Sequence, residues 1–273
     1  MKLGLRAHDF GRQSAETLAA SIAAAGFECC QLAPAKAIDG INHFNDITDT
    51  HLDDIRQAFA RHNVEITVLG CYIEPSFTDT DKRLEQVEIF CNNLTNAKKL
   101  GVGIVGTETT GLSTDTPSAE REKIYQLLKD SVLRMVERAE KEGVTIGIEP
   151  VAEHTLNSPE LARRLLDEVN SSRLKIIFDP LNLILPSTIG NQAQIFDSVL
   201  NLLGKDIVAM HIKDAVIENG KKVWRNIGRG AVDYTAIAAW LKANKPDMRL
   251  LREEVKPDSY KICINAMKEA FTC

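Results

Sequence analysis

The sequence predicts an α/β protein built as a single (β/α)8 TIM barrel over residues 1–273, and three observations predict it. Short apolar runs, often β-branched, alternate eight times with segments whose apolar residues recur at helical spacing. Strands separated by helices need crossover connections and so form a parallel sheet. Eight such units in 273 residues match the roughly 250 residues that a (β/α)8 barrel takes. The competing doubly wound sheet usually carries a G-x-G-x-x-G turn after its first strand; LRAHDFGRQS (5–14) has none.

The strand candidates are 2–6 (KLGLR), 27–32 (FECCQL), 64–70 (VEITVLG), 102–107 (VGIVGT), 144–149 (VTIGIE), 174–179 (LKIIFD), 206–212 (DIVAMHI) and 248–254 (MRLLREE). The clearest helices are 82–100, 119–142, 159–169 and 257–271; in the first, Leu84, Val87, Phe90 or Cys91, Leu94, Ala97 and Leu100 make one stripe. Gly26, Gly101, Gly143 and Gly204 read as helix ends, and Ser158-Pro159-Glu160 as a helix start with a hydroxyl cap and a proline in the first turn. IGRGAVD (227–233) lacks a third glycine and reads as a turn before the last helix pair. No Pro/Gly/Ser-rich linker or low-complexity tract divides the chain, so one domain is expected.

Composition narrows the function classes. With a net charge of −5 there is no electrostatic reason to expect nucleic acid, whose phosphates call for a basic face. No run approaches the roughly 18 to 20 apolar residues that cross a bilayer, and MKLGLRAHDFG is too short and too charged for a secretory leader. A soluble, cytoplasmic protein is expected. The six cysteines (29, 30, 71, 91, 263, 273) include no C-x-x-C pair and read as reduced, mostly buried thiols.

Four consecutive strand candidates finish on, or near, a group that binds metals or moves protons: Glu149, Asp179, His211, and Glu253 with Glu254. A lone acid after an apolar strand is ordinarily a helix cap or a loop residue. Four such groups in succession are different, because all strands of a barrel open their C-terminal ends on one mouth. Neighbouring strands lie about 4.8 Å apart, so side chains at matching heights converge. Two unit charges about 4 Å apart repel by about 4 kcal/mol at an effective dielectric of about 20. Three carboxylates there require protons or a cation between them. Oxygen-rich ligation with one imidazole suits Mn2+, Mg2+ or Co2+ better than structural zinc.

GIEP (147–150), FDPLN (178–182), HIKD (211–214), IGRGAVDY (227–234) and EEVKPD (253–258), in this order, resemble the xylose-isomerase-like barrel superfamily over nearly the whole chain. Within it the chain is most similar to the sugar phosphate isomerase/epimerase branch, which includes the ketose 3-epimerases; the inositol-catabolism enzymes belong to the same superfamily. The resemblance implies that Glu149, Asp179, His211 and Glu253 ligate a divalent metal ion; the oxygen-rich ligand set makes Mn2+ the first expectation, with Mg2+, Co2+ or Zn2+ as other occupants. It implies that Glu149 and Glu253 double as catalytic acid and base. The resemblance of the Lys256-Pro257-Asp258 offset to the family's last strand implies Glu253 rather than Glu254, a choice that the parity of the strand leaves open. GTET (106–109) and EPVAEHT (149–155) are similar to family members and put Glu108 and His154 in the sugar pocket. His8, Tyr72 and Glu74 follow strand ends on the same side. Asn182 stands where relatives often carry a histidine, and can still hydrogen-bond a hydroxyl. The arginine that follows the metal-binding histidine in ketose epimerases has no clean counterpart; Arg225 and Arg229 are the candidates, and an anionic substrate would want Arg225, Arg229 or Lys213 near the mouth.

The activity so implied is isomerisation or epimerisation of a small sugar or sugar phosphate by proton abstraction beside a carbonyl, with the cation stabilising the enediolate. Return of the proton on the opposite face gives an epimerase; return by the same group, or to the neighbouring carbon, gives an aldose–ketose isomerase. The sequence leaves that choice open. Relatives are often homo-oligomers, and nothing in the patterning of this chain shows an oligomeric state. Two other readings are an abasic-site phosphodiesterase of the endonuclease IV type and a non-catalytic sugar-binding barrel. The first wants more histidines and a basic groove; the presence of all four ligands speaks against the second.

Overall fold

A computed structural model of the chain describes residues 1–256 and 259–271. Eight parallel strands close into a barrel: β1 (Lys2–Arg6), β2 (Cys29–Leu32), β3 (Glu65–Gly70), β4 (Ile104–Thr107), β5 (Thr145–Ile148), β6 (Leu174–Phe178), β7 (Ile207–Ile212) and β10 (Arg249–Arg252). Each pairs with the next, and β1 completes the ring between β10 and β2. Between β7 and β10 the chain makes an antiparallel hairpin of β8 (Asp214–Glu218) and β9 (Lys221–Arg225). All eight barrel strands lie where the apolar runs place them, with ends trimmed by up to two residues. The hairpin was not expected. Its signal is Asn219-Gly220, both with positive φ (50° and 72°), the pairing that a two-residue hairpin turn demands.

Helices α1 (Ala15–Ala24), α3 (Asp49–Arg61), α4 (Thr80–Leu100), α5 (Ser118–Glu142), α6 (Pro159–Val169), α7 (Gln192–Leu203), α8 (Thr235–Asn244) and α9 (Tyr260–Phe271) pack around the ring, with a single turn α2 (Pro34–Ala37) after β2. Local chemistry sets their ends. Asp79 and Ser158 accept the Lys82 and Leu161 amide N–H groups at the starts of α4 and α6. Gly101 and Gly143 end α4 and α5 in the left-handed conformation. Gly204 ends α7 with φ −49°, so its requirement is different: a Cβ there would stand 2.6 Å from the Trp240 indole. Pro257 and Asp258, at the start of the segment expected to be helical, lie outside the described residues.

The apolar faces of β1–β7 and β10 meet those helices in one continuous core that includes Leu5, Leu18, Ile22, Phe90, Phe178, Phe196 and Leu250. Each large side chain so buried contributes roughly 1.5–3 kcal/mol. Inside the ring a second, smaller cluster comprises Cys29, Val68, Ile177, Ala209 and Leu251. Ile177 explains two glycines within strands, since a Cβ on Gly106 or Gly147 would stand 2.8 Å from its terminal methyl. This inner layer is the floor on which the site stands. Cys29, Cys30, Cys71, Cys91 and Cys263 are buried free thiols; Cys273 lies outside the described residues. Among the described residues, no helix is long and apolar enough to cross a membrane.

Candidate metal centre and active site

Side chains alternate along a strand, so a residue two positions beyond an inward-facing one stands one step higher on the same face. Glu149 follows Gly147, Asp179 follows Ile177, His211 follows Ala209 and Glu253 follows Leu251, each by two. Four neighbouring strands therefore aim four ligand groups into one mouth; His211 is in register with Leu251, and Glu253 stands one step further along the same face, its N–H donating to Ile212 O at 3.1 Å. All four are buried.

Ligand atoms of Glu149, Asp179 and His211 lie within 4.8 Å of one another. His211 Nδ1 is 2.9 Å from Glu149 Oε2, 3.3 Å from Glu253 Oε1 and 4.0 Å from Asp179 Oδ2. The other carboxylate oxygens are engaged behind them. Asp179 Oδ1 accepts the Leu181 and Asn182 N–H groups at 2.9 and 3.0 Å, and Glu149 Oε1 accepts Asn182 Nδ2 at 2.6 Å. Two buried atoms in the middle, Asp179 Oδ2 and His211 Nδ1, have only charged groups as near polar neighbours: Lys213 Nζ at 3.1 Å from the first, and Glu149 and Glu253 at 2.9 and 3.3 Å from the second. Three buried carboxylates this close repel one another unless positive charge lies between them, and a cation fits that donor set.

Lys213, two residues past His211 on the same face, was considered from sequence only as an anion binder. Its Nζ is 2.7 Å from Glu253 Oε2 and 3.1 Å from Asp179 Oδ2, and donates to Asn182 Oδ1 at 3.2 Å. Arg6, not singled out from sequence, sits 3.4 Å from Glu253 Oε2 and binds Asp9 at 2.7 Å and Glu254 at 2.9 Å. Glu254 thus turns away from the centre; its φ of +59° is a left-handed conformation that a non-glycine residue holds only when its surroundings enforce it.

These charges set protonation. Burial pushes the Glu253 carboxyl up, but Lys213, His211 and Arg6 together hold it well below the usual carboxylate range. Burial opposes charge on His211, yet Glu253 and Glu149 raise it to about 9. For Lys213 too, burial is outweighed by Asp179, Glu253 and Glu149, which hold it well above an ordinary lysine. Burial raises Asp179.

The surrounding wall comes from the loops after β1, β3, β4 and β5. Glu108 is raised to about 7 by burial and by Glu149 and Glu253. His154 Nε2 lies 3.8 Å from Glu108 Oε2; burial lowers its basicity. Burial, Arg6 and Lys36 lower His8 to about 4. His8 Nδ1, Glu74 Oε2 and His154 Nδ1 are buried without hydrogen-bond partners. Arg225 does not join this group: it ends β9 and is bound by Glu218 at 2.5 Å. Arg229 lines a groove against α8 and α9. Gln31, also missed from sequence, is two residues past inward-facing Cys29 and bonds His211 Nε2 through Oε1 at 2.9 Å. A polar residue inside the apolar run FECCQL was the available signal.

The model of the xylose isomerase-like TIM barrel family matches residues 19–264, and the chain belongs to that family. No curated protein matches it by sequence. Among solved structures, a D-tagatose 3-epimerase-like protein superposes with a TM-score of 0.80 at 19% identity, covering 99% of this chain and 97% of its own. The 3-keto-D-glucoside 4-epimerase YcjR from E. coli gives 0.78 at 17%, with all of both chains covered. The IOLI protein, solved with a bound zinc atom, gives 0.78 at 19%, again with all of both chains covered. At these identities the likeness is one of fold, shared with neighbours that include sugar epimerases.

Proposed function

We propose that this protein is a divalent-metal-dependent isomerase or epimerase of a sugar or sugar phosphate. The observation that carries the reading is the convergence of three buried carboxylates on one imidazole: His211 Nδ1 lies 2.9 Å from Glu149 Oε2, 3.3 Å from Glu253 Oε1 and 4.0 Å from Asp179 Oδ2. Glu149, Asp179, His211 and Glu253 would hold the ion. Mn2+ is our first choice for this oxygen-rich set; the bound zinc in the IOLI neighbour supports a divalent ion in general. When bound, such an ion polarises a substrate carbonyl and an adjacent hydroxyl.

The chain's own residues move the proton. Glu149 and Glu253 follow directly after β5 and β10, with β6 and β7 between them, so they approach a bound substrate from two sides. One removes the carbon-bound proton and the other supplies one on the opposite face, which favours epimerisation. Glu253 is ionised at neutral pH and ready to accept. Lys213 offsets its charge, and Asn182, bonded to both Glu149 and Lys213, fixes their spacing. Glu108 and His154 bind substrate hydroxyls in this reading.

The test is deuterium uptake from solvent into a panel of ketoses and ketose phosphates with Mn2+ present. Exchange beside the carbonyl is expected with the native chain. Glu149→Gln and Glu253→Gln should each abolish it while circular dichroism and melting stay native-like. A near-native rate in either variant would remove that residue from the acid/base pair.

A further inference from the structure

The β8–β9 hairpin holds an indole beside the ionic cluster. Register places Ala215 opposite Trp224 and Ile217 opposite Lys222, so Trp224 and Lys222 project from one face and Arg225 from the other. Lys222 Nζ donates to Leu181 O at 2.9 Å, two residues past Asp179, which turns their shared face toward the barrel mouth. Lys213 Nζ lies 5.9 Å from the Trp224 ring centroid and 2.7 Å from Glu253. Trp224 nevertheless remains 43% exposed. The other large apolar side chains left exposed among the described residues, Leu133, Leu202 and Ile262, sit on the outer helices.

The opposite wall has the complementary chemistry. Three buried atoms there lack partners, His8 Nδ1, Glu74 Oε2 and His154 Nδ1, and Glu108 stands with them. Carboxylates and neutral imidazoles accept from and donate to hydroxyls but give a phosphate dianion no net attraction. Of the cations nearby, Arg6 is paired with three carboxylates and Lys213 with two. Lys222, held by a carbonyl, and Lys36 keep their charge, the first facing Asp179 and Glu153 and the second Glu108 and Glu253. Lys36 rests on the Tyr72 ring. A carbohydrate has matching surfaces, hydroxyls on its edge and C–H bonds on its face, and aromatic faces receive the latter.

We infer that Trp224 is the stacking surface for the C–H face of an uncharged, hydroxyl-rich substrate, a free ketose rather than its phosphate ester. The inference rests on the proposed function and narrows it.

The chain has two tryptophans, and Trp240 packs on Gly204, so Trp240→Phe leaves Trp224 as the sole indole reporter. The Mn2+-loaded Trp240→Phe protein is titrated with D-psicose, D-tagatose, D-fructose and D-fructose 6-phosphate, following emission and acrylamide quenching. A free ketose that exchanges solvent deuterium should shift the emission and protect the indole. Trp224→Ala should raise KM for it about tenfold, with Trp224→Phe recovering most of the loss. A ketose that exchanges deuterium yet leaves emission and quenching unchanged overturns the stacking role. So does preference for the phosphate ester over every free ketose. Absence of exchange in the native chain across the whole panel of ketoses and ketose phosphates overturns the proposed function itself, and this inference with it.

Discussion

His211 donates its Nε2–H to the amide oxygen of Gln31, 2.9 Å away on β2, while the amide nitrogen of Gln31 donates to the Tyr72 hydroxyl at 2.9 Å. The two bonds together fix which end of the amide faces the imidazole. They leave Nδ1 as the nitrogen aimed at the three carboxylates. A partner of this kind orients a ligating imidazole and raises its basicity. Gln31→Leu should therefore weaken Mn2+ binding by about 10- to 100-fold without unfolding the barrel, measured by calorimetry. An unchanged affinity would speak against Nδ1 as the ligating atom.

The same imidazole makes ion uptake pH-dependent. With no cation bound, His211 is raised from 6.5 to about 9, so at pH 7 to 8 an incoming ion displaces its proton. Affinity should rise with pH by up to about tenfold per unit until about pH 9, then level. Buffers of different ionisation heats should report release of about one proton at pH 7.5. Stability follows with the opposite trend. A folded pKa above the unfolded one stabilises the cation-free fold fully below about 6.5, and that contribution is lost as pH rises through about 9. The melting temperature of chelator-treated protein should fall across that window; ion-loaded protein should not share the fall.

The hairpin that carries Trp224 hangs on one carboxylate. Asp214 accepts the N–H groups of Ala215 at 2.9 Å, Gly228 at 3.0 Å, Gly230 at 2.9 Å and Val232 at 3.2 Å. Gly230 makes room for it, since a Cβ there would stand 2.0 Å from Asp214 Oδ1. Asp214→Ala should cost roughly 2–4 kcal/mol, read as a lower urea midpoint. A cost below half a kilocalorie would mean that water replaces the carboxylate freely.

Much of this was legible in the chain, and the reason is parity. An inward residue such as Gly147, Ile177, Ala209 or Leu251 fixes the face of the group two places on, so apolar runs ending on Glu149, Asp179, His211 and Glu253 placed four groups on one mouth. Gln31 and Arg6 obey the same parity but act across the ring, on His211 and Glu253, and only closure of the barrel brings them together. Arg225 shows the converse. Its place in the sequence suited a substrate contact, but the face on which it projects is decided by the Asn219-Gly220 turn, whose register points Trp224 inward instead.

Adjacent Glu253 and Glu254 separate cleanly in experiment. Glu254 holds its left-handed backbone at a cost of about 1 kcal/mol or more, and glycine adopts that conformation without strain. Glu254→Gly should keep turnover within a few-fold while Glu253→Gln loses it, in the deuterium assay. A loss of more than about a hundredfold in Glu254→Gly, some 3 kcal/mol, would move the last ligand to position 254.

Direct counting of the ion bears most immediately on the whole mechanism. Chelator-stripped protein is titrated with Mn2+ and the free ion followed by electron paramagnetic resonance. One tight equivalent per chain is expected, lost in both Asp179→Asn and His211→Ala while the fold persists. Saturable uptake that survives both substitutions, or none at any pH up to 9, would contradict a shared ion at the barrel mouth.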